Sequence, residues 1–254
     1  MSTHLTMRFG CPGALALLLF AAPALAEGRV ERDLSLQPGG RLVVETDGGS
    51  ITVRGGHRSG AHVVITARDE EALDRYKLSF EESAEELRVV ARKKEGFSSW
   101  FGWSDGGLEI EVEVPSETAI DLDTSGGGIR VDDVRGDVRA ETSGGGVRIG
   151  NVTGSIDASS SGGPVEASFA PGSQASGRLS TSGGGVRVWL DRDANVEIDA
   201  STSGGTVSCD LPITARGGMS RSSLRGTIGS GGPRLTLRSS GGSILIGERS
   251  GEGA

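Results

Sequence analysis

A four-residue motif, Thr/Ser-Ser-Gly-Gly, begins at Thr124, Thr142, Ser160, Thr181, Thr202 and Ser239, in steps of 18, 18, 21, 21 and 37 residues. A relative, Thr46-Asp47-Gly48-Gly49, lies upstream. Self-similarity at a nearly fixed period is the mark of stacked repeats. A Gly/Ser linker would have no reason to keep apolar residues in phase with the motif, and this chain keeps them on both sides. The last step is about twice the others, which predicts a degenerate turn between Cys209 and Leu235.

After each tetrad the apolar residues alternate: Ile51/Val53, Ile129/Val131, Val147/Ile149, Val165/Ala167, Val186/Val188, Val207/Cys209 and Ile244/Ile246. Before it stands a second set, including Leu42/Val44, Ile120/Leu122, Val138/Ala140, Ile156/Ala158, Ile198/Ala200 and Leu235/Leu237. Period-two alternation over four to six residues marks a half-buried strand. Each repeat therefore reads as strand, Gly-rich corner, strand and polar return. The glycines are expected to supply positive φ at the corner. A unit this short cannot enclose a core, so equivalent strands must stack about 4.8 Å apart. The predicted fold is all-β, a single-stranded β-solenoid of 18–21-residue turns.

Stacking assigns each residue to a column. Cys209 shares an inward column with Val131, Ile149, Val188 and Ile246, which predicts a small buried hydrophobe. The Thr/Ser opening each tetrad is in phase with the inward set, where hydroxyls can satisfy backbone groups at the corner. The outward column after the glycines reads Thr52, Arg130, Arg148, Glu166, Arg187, Ser208 and Leu245. The alternating signs of Arg148, Glu166 and Arg187 suit cross-strand ion pairs, and Arg130 beside Arg148 keeps an anion-binding strip open. Asp121 and Asp123 flank Leu122 and point outward from one strand. Glu141 falls in the column of Asp123, and Asp132, Asp133 and Asp137 lie in a return loop. These acids read as a solubility face or as a patch for a cation or sugar.

Bulk composition narrows the classes. Arg8, an apolar run from Ala14 to Ala22 and the ending Ala24-Leu25-Ala26 form a signal-peptide pattern, too short for a span of about 20 apolar residues. Cleavage near Ala26 would place the mature chain in the periplasm or outside the cell. The formal net charge is −8. An acidic balance disfavours nucleic acid and anionic lipid. No later run can span a membrane as a helix. Cys209 is the only cysteine beyond the leader, so no intrachain disulfide can form. Glycine supplies 43 residues, far above an average of about 7%, and aromatics are scarce, which suits a thin core fed by many short strands.

The expected organisation is a signal peptide at 1–26, a less regular N-terminal β region and cap at 27–118, regular solenoid repeats at 119–249 and a flexible tail at 250–254. Within the cap, Arg41 to Val53 forms one strand–corner–strand unit. His62–Ala67, Lys77–Phe80, Leu87–Arg92 and Leu108–Val114 read as strands, with a short helical connection between Asp69 and Tyr76. Residues 93–107 stand apart as a Gly/Ser-rich loop carrying Phe97, Trp100, Phe101 and Trp103. Exposed aromatics are costly, so this loop either folds back or meets a partner.

No catalytic constellation is legible. His57 and His62 lack a third ligand at zinc-like spacing, the corners do not lead into a phosphate-binding helix, and the repeats lack the calcium-binding Gly-Gly-x-Gly-x-Asp pattern. No cofactor or metal is expected. The segment Val112-Glu113-Val114-Pro115 leading into Ile120 to Gly127, the recurring Ser-Gly-Gly-x-Ile/Val units, and Leu235 to Ile246 as a closing turn resemble the bacterial "putative adhesin" domain family. That resemblance covers roughly Val30 to Gly247. It implies an exported β-helical protein and brings no agreed binding or catalytic residues with it. The expected function is a non-enzymatic envelope module that binds an envelope protein or glycan, through Phe97, Trp100, Phe101, Trp103, Asp121, Asp123, Arg130 or Arg148. The alternatives are a polysaccharide-active β-helix enzyme using outward carboxylates, and a structural scaffold that self-associates.

Overall fold

The computed structural model describes residues 28–94, 107–216 and 220–249. The expected signal peptide at 1–26, most of the 93–107 segment with Phe97, Trp100, Phe101 and Trp103, and residues 250–254 lie outside them.

The chain begins with strand β1 (Gly28–Leu34) and a first turn made of β2 (Arg41–Thr46) and β3 (Gly49–Gly56). Next come β4 (Ala61–Ala67), a five-residue helix α1 (Glu70–Asp74) and β5 (Tyr76–Glu82). Asp69 caps that helix by accepting from the Ala72 amide at 2.7 Å. A second turn joins β6 (Glu86–Lys93) to β7 (Leu108–Pro115). The regular turns then follow as β8 (Ala119–Thr124) with β9 (Ile129–Asp132), β10 (Val138–Thr142) with β11 (Val147–Val152), β12 (Ile156–Ser160) with β13 (Val165–Phe169), and β14 (Gly177–Thr181) with β15 (Val186–Leu190). After β16 (Val196–Thr202) and β17 (Val207–Cys209) the chain makes β18 (Ile213–Ala215) and β19 (Ser223–Ile228). It closes with β20 (Arg234–Ser239) and β21 (Ile244–Glu248).

The architecture is all-β and solenoid-like, with two large sheets. Each turn contributes one strand to each sheet. Sheet I has the order β1-β4-β7-β3-β9-β11-β13-β15-β21-β17, and sheet II the order β18-β19-β16-β20-β14-β12-β10-β8-β2-β6-β5. Within the stack the strands pair parallel and in register: Leu122 lies beside Ala140, Ala140 beside Ala158, and Ala158 beside Leu179. The inward columns between the sheets form one continuous core in which Leu42, Ile51, Leu122, Leu179, Val188 and Leu237 are fully buried. The alternation seen in sequence exists because only every second side chain faces that core.

Three expectations change. First, the long 37-residue step holds no degenerate turn. After β17 the chain adds β18 and β19 antiparallel to the end of sheet II, then returns to lay β20 and β21 between two turns already made. Ser239 stands beside Thr181 on one side and Thr202 on the other. The beginning is displaced in the same way: β2 lies between β6 and β8, and β3 between β7 and β9. Quasi-equivalent turns make this possible, because any turn offers the same registered surface to any other.

Second, the tetrad glycines are not positive-φ residues, Gly49 (φ 117°) excepted. They are required by close approach. A Cβ on Gly145 would lie 2.3 Å from the Gly127 carbonyl oxygen, and one on Gly184 2.5 Å from that of Gly163. Corner backbones stack directly on one another and leave no room for a side chain.

Third, Cys209 keeps its expected column beside Ile246, but β17 is the last strand of sheet I, so the residue is only half-buried. Burial still pushes the thiol pKa up, against an opposing backbone hydrogen bond from Leu211.

The opening hydroxyls of the tetrads form a directed ladder. Thr142 Oγ1 donates to the Gly127 carbonyl at 2.8 Å, Ser160 Oγ to Gly145 at 2.7 Å, and Thr181 Oγ1 to Gly163 at 2.7 Å. The series continues in spatial rather than chain order: Ser239 Oγ donates to Gly184, and Thr202 Oγ1 to Gly242. Most of these hydroxyls also accept from an amide in their own corner, as Ser160 does from Gly163 at 2.9 Å. They are buried, structural groups.

Candidate functional site

Two outward faces carry the residues singled out in the sequence. On sheet II the charges form a compensated mesh around a concavity of about 410 Å³. Asp121 receives Arg41 at 2.5 Å and Arg139 at 3.9 Å. Arg139 also holds Glu141 at 2.5 Å. Arg88 pairs with Glu45, and Arg92 bridges Glu45 and Asp47. Burial raises the Asp47 pKa, but hydrogen bonds from Arg92 and the Lys93 amide outweigh it, so this carboxyl sits below its ordinary range. The columns explain the arrangement: parallel register brings side by side residues as far apart in sequence as Arg41 and Asp121, 80 positions, or Glu45 and Arg88, 43 positions. Asp123 lies in the same concavity, next to Glu141 in register. The acid-rich stretch of sequence is thus a mixed face, because arginines of its own strands and of other turns answer it.

The return-loop acids have structural partners. Asp132 binds Arg130 at 2.6 Å, Asp133 accepts from Asn151 Nδ2 at 2.5 Å, and Asp137 accepts from both the amide and hydroxyl of Ser155 at 2.8 Å. Asp133 and Asn151 both adopt positive φ, at 61° and 55°, a conformation that short polar side chains tolerate. His62 lies between Asp33 and Glu31 of β1, at 2.9 and 3.4 Å.

On sheet I the expected ion pairs form. Glu166 receives Arg148 at 2.9 Å and Arg187 at 2.6 Å, one from each neighbouring turn. Its side chain is 12% exposed while those of the arginines are 62% and 55% exposed. Burial raises the Glu166 pKa, but the hydrogen bonds from Arg187 and Arg148 more than offset this and hold it below the usual carboxylate range. A carboxyl depressed on folding contributes stability above its unfolded value near 4.5 and loses it as pH falls through the folded value. Glu166→Gln is therefore expected to cost about 1 kcal/mol at pH 7. It should also show a smaller stability loss between pH 6 and pH 3 than the parent. Urea unfolding at both pH values checks this, and an unchanged acid limb would refute it.

Arg130 and Arg148 stand directly beside each other in register. They border a shallow trough of about 320 Å³ crossing the corners of four turns. Its floor runs over Gly128, Gly146 and Pro164, the positions just after the tetrads. Sequence reasoning found the arginines but missed the trough. The signal was present: the residue following each of these tetrads is glycine or proline, so the column has almost no side chains.

A larger concavity of about 560 Å³ lies on the return side, between Phe169, Ala170, Leu190, Asn195, Pro233 and Arg249. The change of step from 18 to 21 residues was its signal, since the extra residues widen these loops. Lys93, Lys94 and Gly107 flank the aromatic segment and stand on the corner edge of the stack, with Ala91 level with Thr46 and Leu108 beside Gly49. The four candidate aromatics lie outside the described residues. Among the described residues, no group of three or more His, Cys, Asp or Glu is placed to hold a metal ion. No described helix is long and apolar enough to cross a membrane.

A family profile described as Toastrack DUF4097 matches residues 118–247. No curated protein matches the chain. Among solved structures, a "putative cell adhesion protein" from Clostridium sporogenes ATCC 15579 is 13% identical, covers 88% of this chain and 100% of its own, and has a TM-score of 0.48. A "putative adhesin" from Bacteroides fragilis NCTC 9343 is 12% identical over 86% of this chain and 96% of its own, with a TM-score of 0.33. A "putative lipid binding protein" from Parabacteroides distasonis ATCC 8503 is 13% identical over 87% and 96%, with a TM-score of 0.34.

Proposed function

The chain belongs to the Toastrack DUF4097 family, and from that membership we propose that it is an exported, non-enzymatic binding module of the cell envelope. In this reading the mature protein begins after Ala26, winds as a single solenoid, and presents its outward faces to an envelope glycan or protein. The observation that carries it is the registered stacking of outward side chains. Eight turns in register hold two flat faces roughly 34 Å long at the usual strand spacing. Such faces suit an extended partner better than a small substrate, which needs an enclosed pocket. The aromatics Phe97, Trp100, Phe101 and Trp103 would add a contact at the corner edge, where their loop leaves the stack.

The enzyme alternative requires a carboxylate pair free to act as acid and nucleophile or base. Asp121 is engaged by Arg41 and Arg139 instead, which favours a recognition surface. The experiment is a screen of purified protein against glycans and envelope extracts, read both for binding and for release of reducing ends. Saturable binding without release is expected. Turnover that disappears in Asp123→Asn would overturn the proposal.

A further inference from the structure

The trough on sheet I is bordered by two cations that face one another across adjacent turns of the stack. Like charges directly opposite on neighbouring strands are destabilising, and Arg130 and Arg148 occupy such a pair. Neighbouring carboxylates engage them only on one side. Arg130 gives Nε to Asp132, and Arg148 gives Nε and one terminal nitrogen to Glu166. Arginine carries five donors in a planar fork suited to carboxylates. Both side chains are about half exposed or more, at 49% and 62%, so the remaining donors face solvent beside the trough.

The floor narrows the choice of ligand. Its backbone is already spent along the stack: the Gly128, Gly146 and Pro164 carbonyls accept from Ile51, Ile129 and Val147 at 2.9–3.0 Å. A peptide adding itself as a strand needs free backbone acceptors as well as donors, and these three carbonyls are already engaged. What it offers is a flat, side-chain-poor path ending on the exposed Pro164 ring. Such a path lets a sugar ring lie close to the protein. The turns repeat about every 4.8 Å, similar to the advance of one sugar residue in a linear glycan. The overall charge of −8 opposes any polyanion, and nucleic acid, whose affinity grows with the number of phosphates neutralised, would find two cations lining the trough.

We infer that this trough is a binding site for a linear acidic polysaccharide, a polyuronate lying along the solenoid axis with carboxylates on Arg130 and Arg148. The inference rests on the binding-module reading and names the ligand class for one face of it.

The test uses the full mature chain with polygalacturonate, its fully methyl-esterified form and a neutral dextran, by calorimetry and by amide NMR. Polygalacturonate is expected to bind and to shift the Gly128 and Gly146 amides, whereas the ester and dextran bind at least tenfold more weakly. The R130Q/R148Q double variant, with an unchanged melting temperature as the fold check, is expected to lose at least tenfold in affinity. R148Q alone, which leaves Glu166 paired with Arg187, should lose part of it. Absence of polygalacturonate binding, equal binding of the ester, or an affinity unchanged in both variants would each overturn the inference. Binding of other glycans or proteins that survives these substitutions would leave the broader reading standing. Absence of any envelope ligand would sink the broader reading itself.

Discussion

Gly145→Ala is expected to destabilise the protein by about 3 kcal/mol or more, and Gly145→Val to abolish folding. A single added methyl would sit 2.3 Å from the Gly127 carbonyl oxygen and 2.4 Å from its carbon. Overpacking usually costs about 1–3 kcal/mol because side chains can adjust. Here the obstacle is backbone, held by registered ladders on both sides, and relieving it means separating two turns. Against a total stability of about 5–15 kcal/mol, the larger residue removes most of the margin. Gly56→Ala is the control: nothing lies within 4 Å of its added Cβ and its φ is not positive. That change should be neutral or stabilising by up to about 1 kcal/mol. Denaturant midpoints of the three variants decide the matter. If Gly145→Ala costs no more than Gly56→Ala, the close-approach account of the tetrad is wrong.

The second large effect concerns order in the stack. Leu237 is fully buried between Leu179 of β14 and Ala200 of β16. Leu237→Ala should cost about 2–5 kcal/mol, and Leu237→Asp more, since it places an unpaired charge in the core. The diagnostic readout is hydrogen exchange. Amides of β16 and β19 are expected to lose protection together with those of β20 and β21, although β16 precedes the substitution by more than thirty residues. Amides of β8, β10 and β12 should keep theirs in the alanine variant. In a stack that followed chain order, β20 would be an outer turn and β16 would remain protected by β14. Retained protection in β16 would contradict the interleaved arrangement.

Much of this fold was legible because period-two alternation and the tetrad act on the same residues. Val147/Ile149 and Val138/Ala140 could be assigned inward from sequence, and they are buried. Column membership followed as well, which is why Glu166 could be matched to Arg148 and Arg187 before any coordinates. The order of turns was not legible. Repeats that are interchangeable in surface are interchangeable in sequence, so nothing local distinguishes Ser239 beside Thr181 from Ser239 beyond Thr202. Strand β1 was missed for a related reason: its alternating charges, Arg29, Glu31 and Asp33, give the outline of an edge rather than of a core. The partners of the acids were only partly legible: Glu141 and Asp132 pair with Arg139 and Arg130 two residues away, but Asp121 is answered by Arg41, 80 positions earlier, which spacing along the chain does not reveal. The trough escaped because reasoning from side chains overlooks a column defined by their absence.

The interleaved ends change how the protein would respond to a pull. In a solenoid whose turns follow chain order, tension on either end peels the outermost turn, breaking one ladder at a time. Here the segment leading from β21 is anchored between β15 and β17, and the segment entering β2 between β6 and β8. At the N-terminal end β1, paired with β4 at the edge of sheet I, comes away first; drawing out β2 behind it, or β21 at the other end, must shear two parallel ladders at once while the neighbouring turns stay clamped. Forced unfolding is governed by the height of that barrier rather than by equilibrium stability. A protein fixed to a surface at one end and to a partner at the other would hold under load like a dovetail joint, failing in shear across a full turn instead of unzipping from its edge.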